Sequence, residues 1–86
     1  MNKIIDKKHF SEKVVQLVVE ASLIARSRRA GHFVIVRADE HGERIPLTIA
    51  DSDTAAGTIT LVVQAVGKST KKICDKAVGD SLHDVV

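Results

Sequence analysis

The clearest signal in the chain is a strict alternation over Lys13 to Ala21, where Val15, Leu17, Val19 and Ala21 interleave with Val14, Gln16, Val18 and Glu20. A period of two with β-branched enrichment predicts a strand whose inner face carries the first set. Val14 and Val18 predict that the second face is partly covered too. The same period recurs over Thr58 to Val66, with Ile59, Leu61, Val63 and Ala65 set against Thr58, Thr60, Val62, Gln64 and Val66. Shorter runs predict strands over Asn2 to Phe10, His32 to Ala38, Glu43 to Ala50 and Ser81 to Val86. In the His32 strand, Phe33, Ile35 and Arg37 share one face, and Val34, Val36 and Ala38 the other.

Turn chemistry separates these runs. Asp39-Glu40-His41-Gly42 reads as a hairpin connection in which Gly42 supplies a positive φ, and Asp51 to Gly57 as a polar loop. Ser22 reads as the N-cap of a short helical turn, Leu23 to Arg29, closed by Gly31. Gly67-Lys68-Ser69 ends the fifth strand, and Thr70 to Ala77 reads as a short helix capped by Ser69 or a residue nearby. The expected fold is therefore all-β: a six-stranded antiparallel barrel with one short helix after the fifth strand.

Composition narrows the function. The 86 residues suffice for one domain with a single core, and 44% apolar with 28% charged residues is ordinary for a folded globular chain. The two aromatics, Phe10 and Phe33, are too few to build base-stacking platforms, and a net charge of +2 does not call for nucleic acid. No apolar run approaches the roughly 20 residues of a membrane span, and the N-terminus lacks the apolar region of a signal peptide, so a cytoplasmic protein without membrane contact is expected. Cys74 stands alone and reads as a small buried apolar residue. His9, His32, His41 and His83 have no ligand spacing, so no metal site is expected. No catalytic constellation is placed by adjacency. Arg26, Arg28 and Arg29 read as a solvated face, with an electrostatic contact to a partner subunit as the other reading.

Two stretches carry candidate chemistry. In Arg44-Ile45-Pro46-Leu47-Thr48, proline cannot donate to a ladder, which opens the backbone to something other than another strand. The Thr48 hydroxyl can offer a hydrogen bond to a planar heterocycle, and the Arg44 guanidinium a charge to a phosphate. Gly67-Lys68-Ser69-Thr70 lets the backbone approach an anion closely, though the Walker spacing is absent.

These two stretches, in this order, resemble the flavin-binding barrel of the ferredoxin–NADP reductase superfamily. Within it the likeness is to the small subunit of NADH-dependent ferredoxin:NADP oxidoreductases, or sulfide dehydrogenases, and to the electron-transfer subunit of dihydroorotate dehydrogenase. The resemblance implies Greek-key strand order and FAD as cofactor. It implies that Thr48 lies near the reactive edge of the ring, that Leu47 replaces a stacking aromatic, and that Val62, Val63 and Gln64 run along the ring and ribityl chain. Gly67, Ser69 and Thr70 would take the pyrophosphate. For Val62 and Val63, core packing stands level with a ligand role. The family's arginine falls at Ile45, so Arg44 is offset by one residue. The chain would be a barrel truncated before an NAD(P)-binding domain, idle alone, and partnered by a larger flavin or iron–sulfur subunit; apolar surface exposed by truncation would favour self-association. A cofactor-free β-barrel interaction module is the alternative.

Overall fold

The computed structural model describes residues 2–86. Its elements are β1 (Asn2–His9), β2 (Val14–Glu20), α1 (Ser22–Ser27), β3 (Phe33–Arg37), β4 (Ile45–Asp53), β5 (Thr58–Gln64), α2 (Lys68–Cys74), β6 (Ser81–Leu82) and β7 (Asp84–Val85). All strand pairs are antiparallel, in the order β6-β1-β2-β5-β4-β3-β7. β3, β4 and β5 form a meander, and β2 returns beside β5, which is a Greek-key connection.

The all-β barrel expected from the alternation is present, with seven strands rather than six. The last segment divides at His83: β6 pairs with β1, whereas β7 pairs with β3. His83 itself donates its N–H to Arg37 O at 2.9 Å. One short segment thus serves both free edges of the sheet and closes it, and closure leaves room for only two residues on each side.

The core is aliphatic. Ile4, Val15, Leu17, Val19, Ile49 and Ile59 are buried together with Leu61, Val63 and Val34 from the facing strands. Each such side chain stabilises by about 1.5–3 kcal/mol relative to exposure. The inward sets on β2 and β5 are those the alternation assigns. Thr58 departs from it, being buried where α1 packs near the start of β5.

Both helices begin differently from expectation. α1 starts at Ser22 with Ala21 as its N-cap and no side-chain cap, because Ala21 O accepts the first helical bond from Ala25 N–H at 2.8 Å. α2 starts at Lys68 with Gly67 as its N-cap, two residues earlier than the reading that made Ser69 the cap. The capping side chain is Thr70, whose Oγ1 accepts the N–H groups of Gly67 at 2.9 Å and Val66 at 3.1 Å. The other end of α2 is held by Lys7, whose Nζ donates to the carbonyls of Cys74 at 2.5 Å and Lys76 at 2.6 Å. Gly42 has no positive φ; its turn is closed by Gly42 N–H to Asp39 O at 3.1 Å and by His41 N–H to Asp39 Oδ1 at 3.0 Å. Asp51–Asp53, read as loop, continue β4 because a register shift between Ile49 and Asp51 keeps them in the ladder with β5.

Candidate functional site

β4 changes partners partway along its length. Its last residues pair with β5 from Ile49↔Leu61 to Asp53↔Thr58, whereas Ile45 to Thr48 pair only with β3. The first half of β4 and the second half of β5, Val62–Gln64, therefore face each other without a ladder.

The polar groups lining this split follow from strand alternation. Ile49 donates its N–H to His32 O at 2.7 Å on the β3 side, which turns the N–H and C=O of Thr48 toward β5. On the other strand, Ala65 donates to Lys13 O at 2.7 Å on the β2 side, which turns the main-chain groups of Gln64 and Val62 toward β4. Pro46 has the same orientation as Thr48 and brings no N–H to the split. The proline and the shifted register beyond Ile49 together explain why the two strands part here. Beyond the Ile49↔Leu61 pair the two strands run on without pairing to each other.

The side chains divide by parity. Thr48 and Pro46 are exposed on the outer face, whereas Ile45 and Leu47 are half-buried against the core. Leu47 thus packs inward, away from the Thr48 face. Val62 and Gln64 are outward and exposed, whereas Val63 is fully buried. Of the two valines for which packing and ligand contact stood level, Val63 is core and Val62 is surface.

Arg44 lies at the entrance to β4 but is not free. Its NH2 stands 3.6 Å from Asp84 Oδ2, the same oxygen that receives Arg37 NH2 at 2.7 Å. Arg37 is the more buried of the two and also donates to Glu40 O at 3.2 Å. The carboxylate therefore belongs chiefly to Arg37, and Arg44, mostly in solvent, holds it loosely.

The Gly67–Thr70 turn follows β5 directly. Thr70 is occupied in capping, as described, whereas the Ser69 hydroxyl bonds to nothing among the described residues. Gly67 has φ −150° and ψ −179°, an extended backbone open to any residue, and a Cβ built on it would meet nothing within 4 Å. Neither conformation nor crowding within the chain accounts for glycine here.

Two cavities lie elsewhere: about 420 Å³ beside α1, lined by Ala21, Ser22, Leu23 and Val86, and about 240 Å³ under α2, lined by His9, Lys13, Lys71 and Cys74. Neither includes Thr48 or Gly67. Burial raises the Cys74 thiol above its ordinary pKa, a change partly offset by the Lys7 ammonium. Its Sγ lies 3.6 Å from Val63 O. Among the described residues no cluster of three or more metal-ligating side chains forms, and no helix is long and apolar enough to cross a membrane.

Sequence reasoning missed Phe33. It pairs directly with Thr48 across β3 and β4 and is 55% exposed on the same face. The alternation had put Phe33 on the face of Ile35 and Arg37, but only the interstrand register brings it beside Thr48.

No protein-family model matches the chain. Its barrel superposes along its whole length on part of a solved NADH-dependent reduced ferredoxin-NADP oxidoreductase studied for flavin-based electron bifurcation, with a TM-score of 0.96, 38% identity and 31% of that chain covered. The chain belongs to the ferredoxin–NADP reductase-like β-barrels. Among sequence relatives, it is 38% identical over all 86 residues to the electron transfer subunit homolog of dihydroorotate dehydrogenase B (NAD(+)) from Thermotoga maritima. It is 45% identical over the same span to a protein encoded in the adh 3′ region of Clostridium beijerinckii. The chain spans 30% and 29% of the lengths of these two relatives.

Proposed function

We propose that the chain is the FAD-binding barrel of an electron-transfer subunit that passes electrons between NAD(P)H and ferredoxin or an iron–sulfur partner, in the cytoplasm. In this reading NAD(P) binds a separate domain, and the larger oxidoreductase subunit is the partner. The observation that carries it is the split between β4 and β5, where the ladder ends at Ile49↔Leu61 and the exposed Thr48, Val62 and Gln64 line an open face. The empty space over Gly67, one turn further on, supports the same ligand.

When bound, the flavin supplies the redox chemistry. The chain binds and orients it. Thr48 offers its hydroxyl and N–H to the polar edge of the ring, the Val62–Gln64 edge runs alongside, and the Gly67–Ser69 backbone accommodates the phosphates. Arg44 would have to exchange Asp84 for a phosphate oxygen in order to contribute, which its loose 3.6 Å contact permits. Thr70 acts through the turn rather than on the ligand, since its hydroxyl is engaged in capping.

The test is an absorbance spectrum of the purified chain after incubation with FAD and removal of free ligand, with Thr48→Val and Gly67→Ala alongside. Flavin bands held by the parent and weakened in both variants, each still cooperatively folded, are the expected result. Bands retained equally by all three would move the site elsewhere. If neither this chain nor one extended to the length of its relatives holds flavin, the cofactor-free interaction module is the better description.

A further inference from the structure

On the outer face of the split, one large side chain has no structural occupation. Phe33 is 55% exposed and sits opposite Thr48 in a pair that does not exchange main-chain hydrogen bonds, because the neighbouring His32–Ile49 contact carries the bond on that side. Such pairs bring their side chains closest together. Across the split, Val62 is 39% exposed on the same face. Leu47, which occupies the position where the resemblance calls for a stacking residue, is turned inward against the core. An exposed phenyl ring held beside the place where two strands part is a surface suited to a flat heterocycle.

We infer that Phe33 is a binding residue for the flavin ring, forming one apolar wall of the Thr48 face with Val62 as the other. The inference rests on the flavin reading above and adds a contact on β3 to a site otherwise drawn from β4, β5 and the turn before α2. Its removal should weaken ring binding without unfolding the chain, because an exposed side chain contributes little to the core.

The sequence contains no Trp and no Tyr, which makes a direct probe available. An indole in van der Waals contact quenches flavin emission, so Phe33→Trp should darken FAD bound to the chain, whereas Phe10→Trp, at the β1–β2 turn, should leave its emission as in the parent. In parallel, Phe33→Ala should lower affinity for both riboflavin and FAD by a similar factor, on the order of tenfold for the loss of one aromatic stacking contact. Bound FAD that shines as brightly in Phe33→Trp as in the parent would overturn the inference and leave the flavin reading standing. So would unchanged riboflavin affinity in Phe33→Ala. A parent chain that binds neither flavin would instead overturn the flavin reading itself, and this inference with it.

Discussion

Along its β2 edge, strand β5 is paired at every position from Thr58 to Gln64, whereas along its β4 edge pairing ends at Leu61. The same residues are therefore closed on one side and open on the other. On the closed side, Leu17, Val15 and Val19 meet Leu61, Val63 and Ile59 in the core. On the open side stand Pro46, Thr48 and Phe33, all exposed. The difference teaches that stability and the proposed ligand site are separable here: the first lies in the β2–β5 ladder and its aliphatic face, the second on the face where the β4–β5 ladder stops.

Mutations should report that separation in order of size. Leu61→Ala removes a fully buried side chain from the closed side and should cost roughly 2–5 kcal/mol in chemical denaturation. Lys7→Met, which withdraws the ammonium from the Cys74 and Lys76 carbonyls, should cost about 1–2 kcal/mol, because charged hydrogen bonds are strong but this one is only partly buried. Thr48→Val, on the exposed face, should change stability by about 0.5 kcal/mol or less, and Gly67→Ala, at the N-cap of α2, by about 1 kcal/mol or less, while both reduce retained flavin. If either of these two unfolded the chain, the separation would fail.

The smallest expected effect is a pH dependence. Burial raises the Cys74 pKa above the ordinary thiol value, so the unfolded thiol ionises before the folded one. The unfolded state then binds fewer protons, and stability falls as pH rises above about 9, levelling once the folded thiol also ionises. Below that range both thiols are protonated and the effect vanishes. Cys74→Ala should flatten the alkaline limb of a melting-temperature profile relative to the parent; an identical limb in both would remove Cys74 as its source.

How far the sequence spoke follows from these same places. β2 and β5 were legible because each has one buried face, which forces a period of two onto residues such as Val15, Leu17, Val63 and Leu61. Pro46 marked, by residue type alone, a stretch of β4 that forms no ladder with β5. What was not legible depended on partners distant in sequence. The division at His83 follows from closing a ring between β1 and β3, and nothing within six residues encodes it. Ser22 and Ser69 looked like caps by residue type, yet a main-chain carbonyl and Thr70 took those places. Asp51–Asp53 looked like loop by polarity, yet the shifted register kept them paired. Phe33 was hidden because alternation gives a side chain's face but not its cross-strand neighbour.

The parting of β4 and β5 bears on how this barrel behaves among other copies of itself. A closed barrel ordinarily offers no edge to a stranger's backbone, and any exposed edge invites intermolecular strand addition. Here the gap on β5 is only Val62–Gln64, shorter than the roughly five residues typical of a strand, and the opposing edge carries a proline that cannot donate. The opening is long enough for a small flat molecule and too short, with one donor removed, to template a fibre. Pro46 thus guards the chain against its own kind at the point where the two strands part.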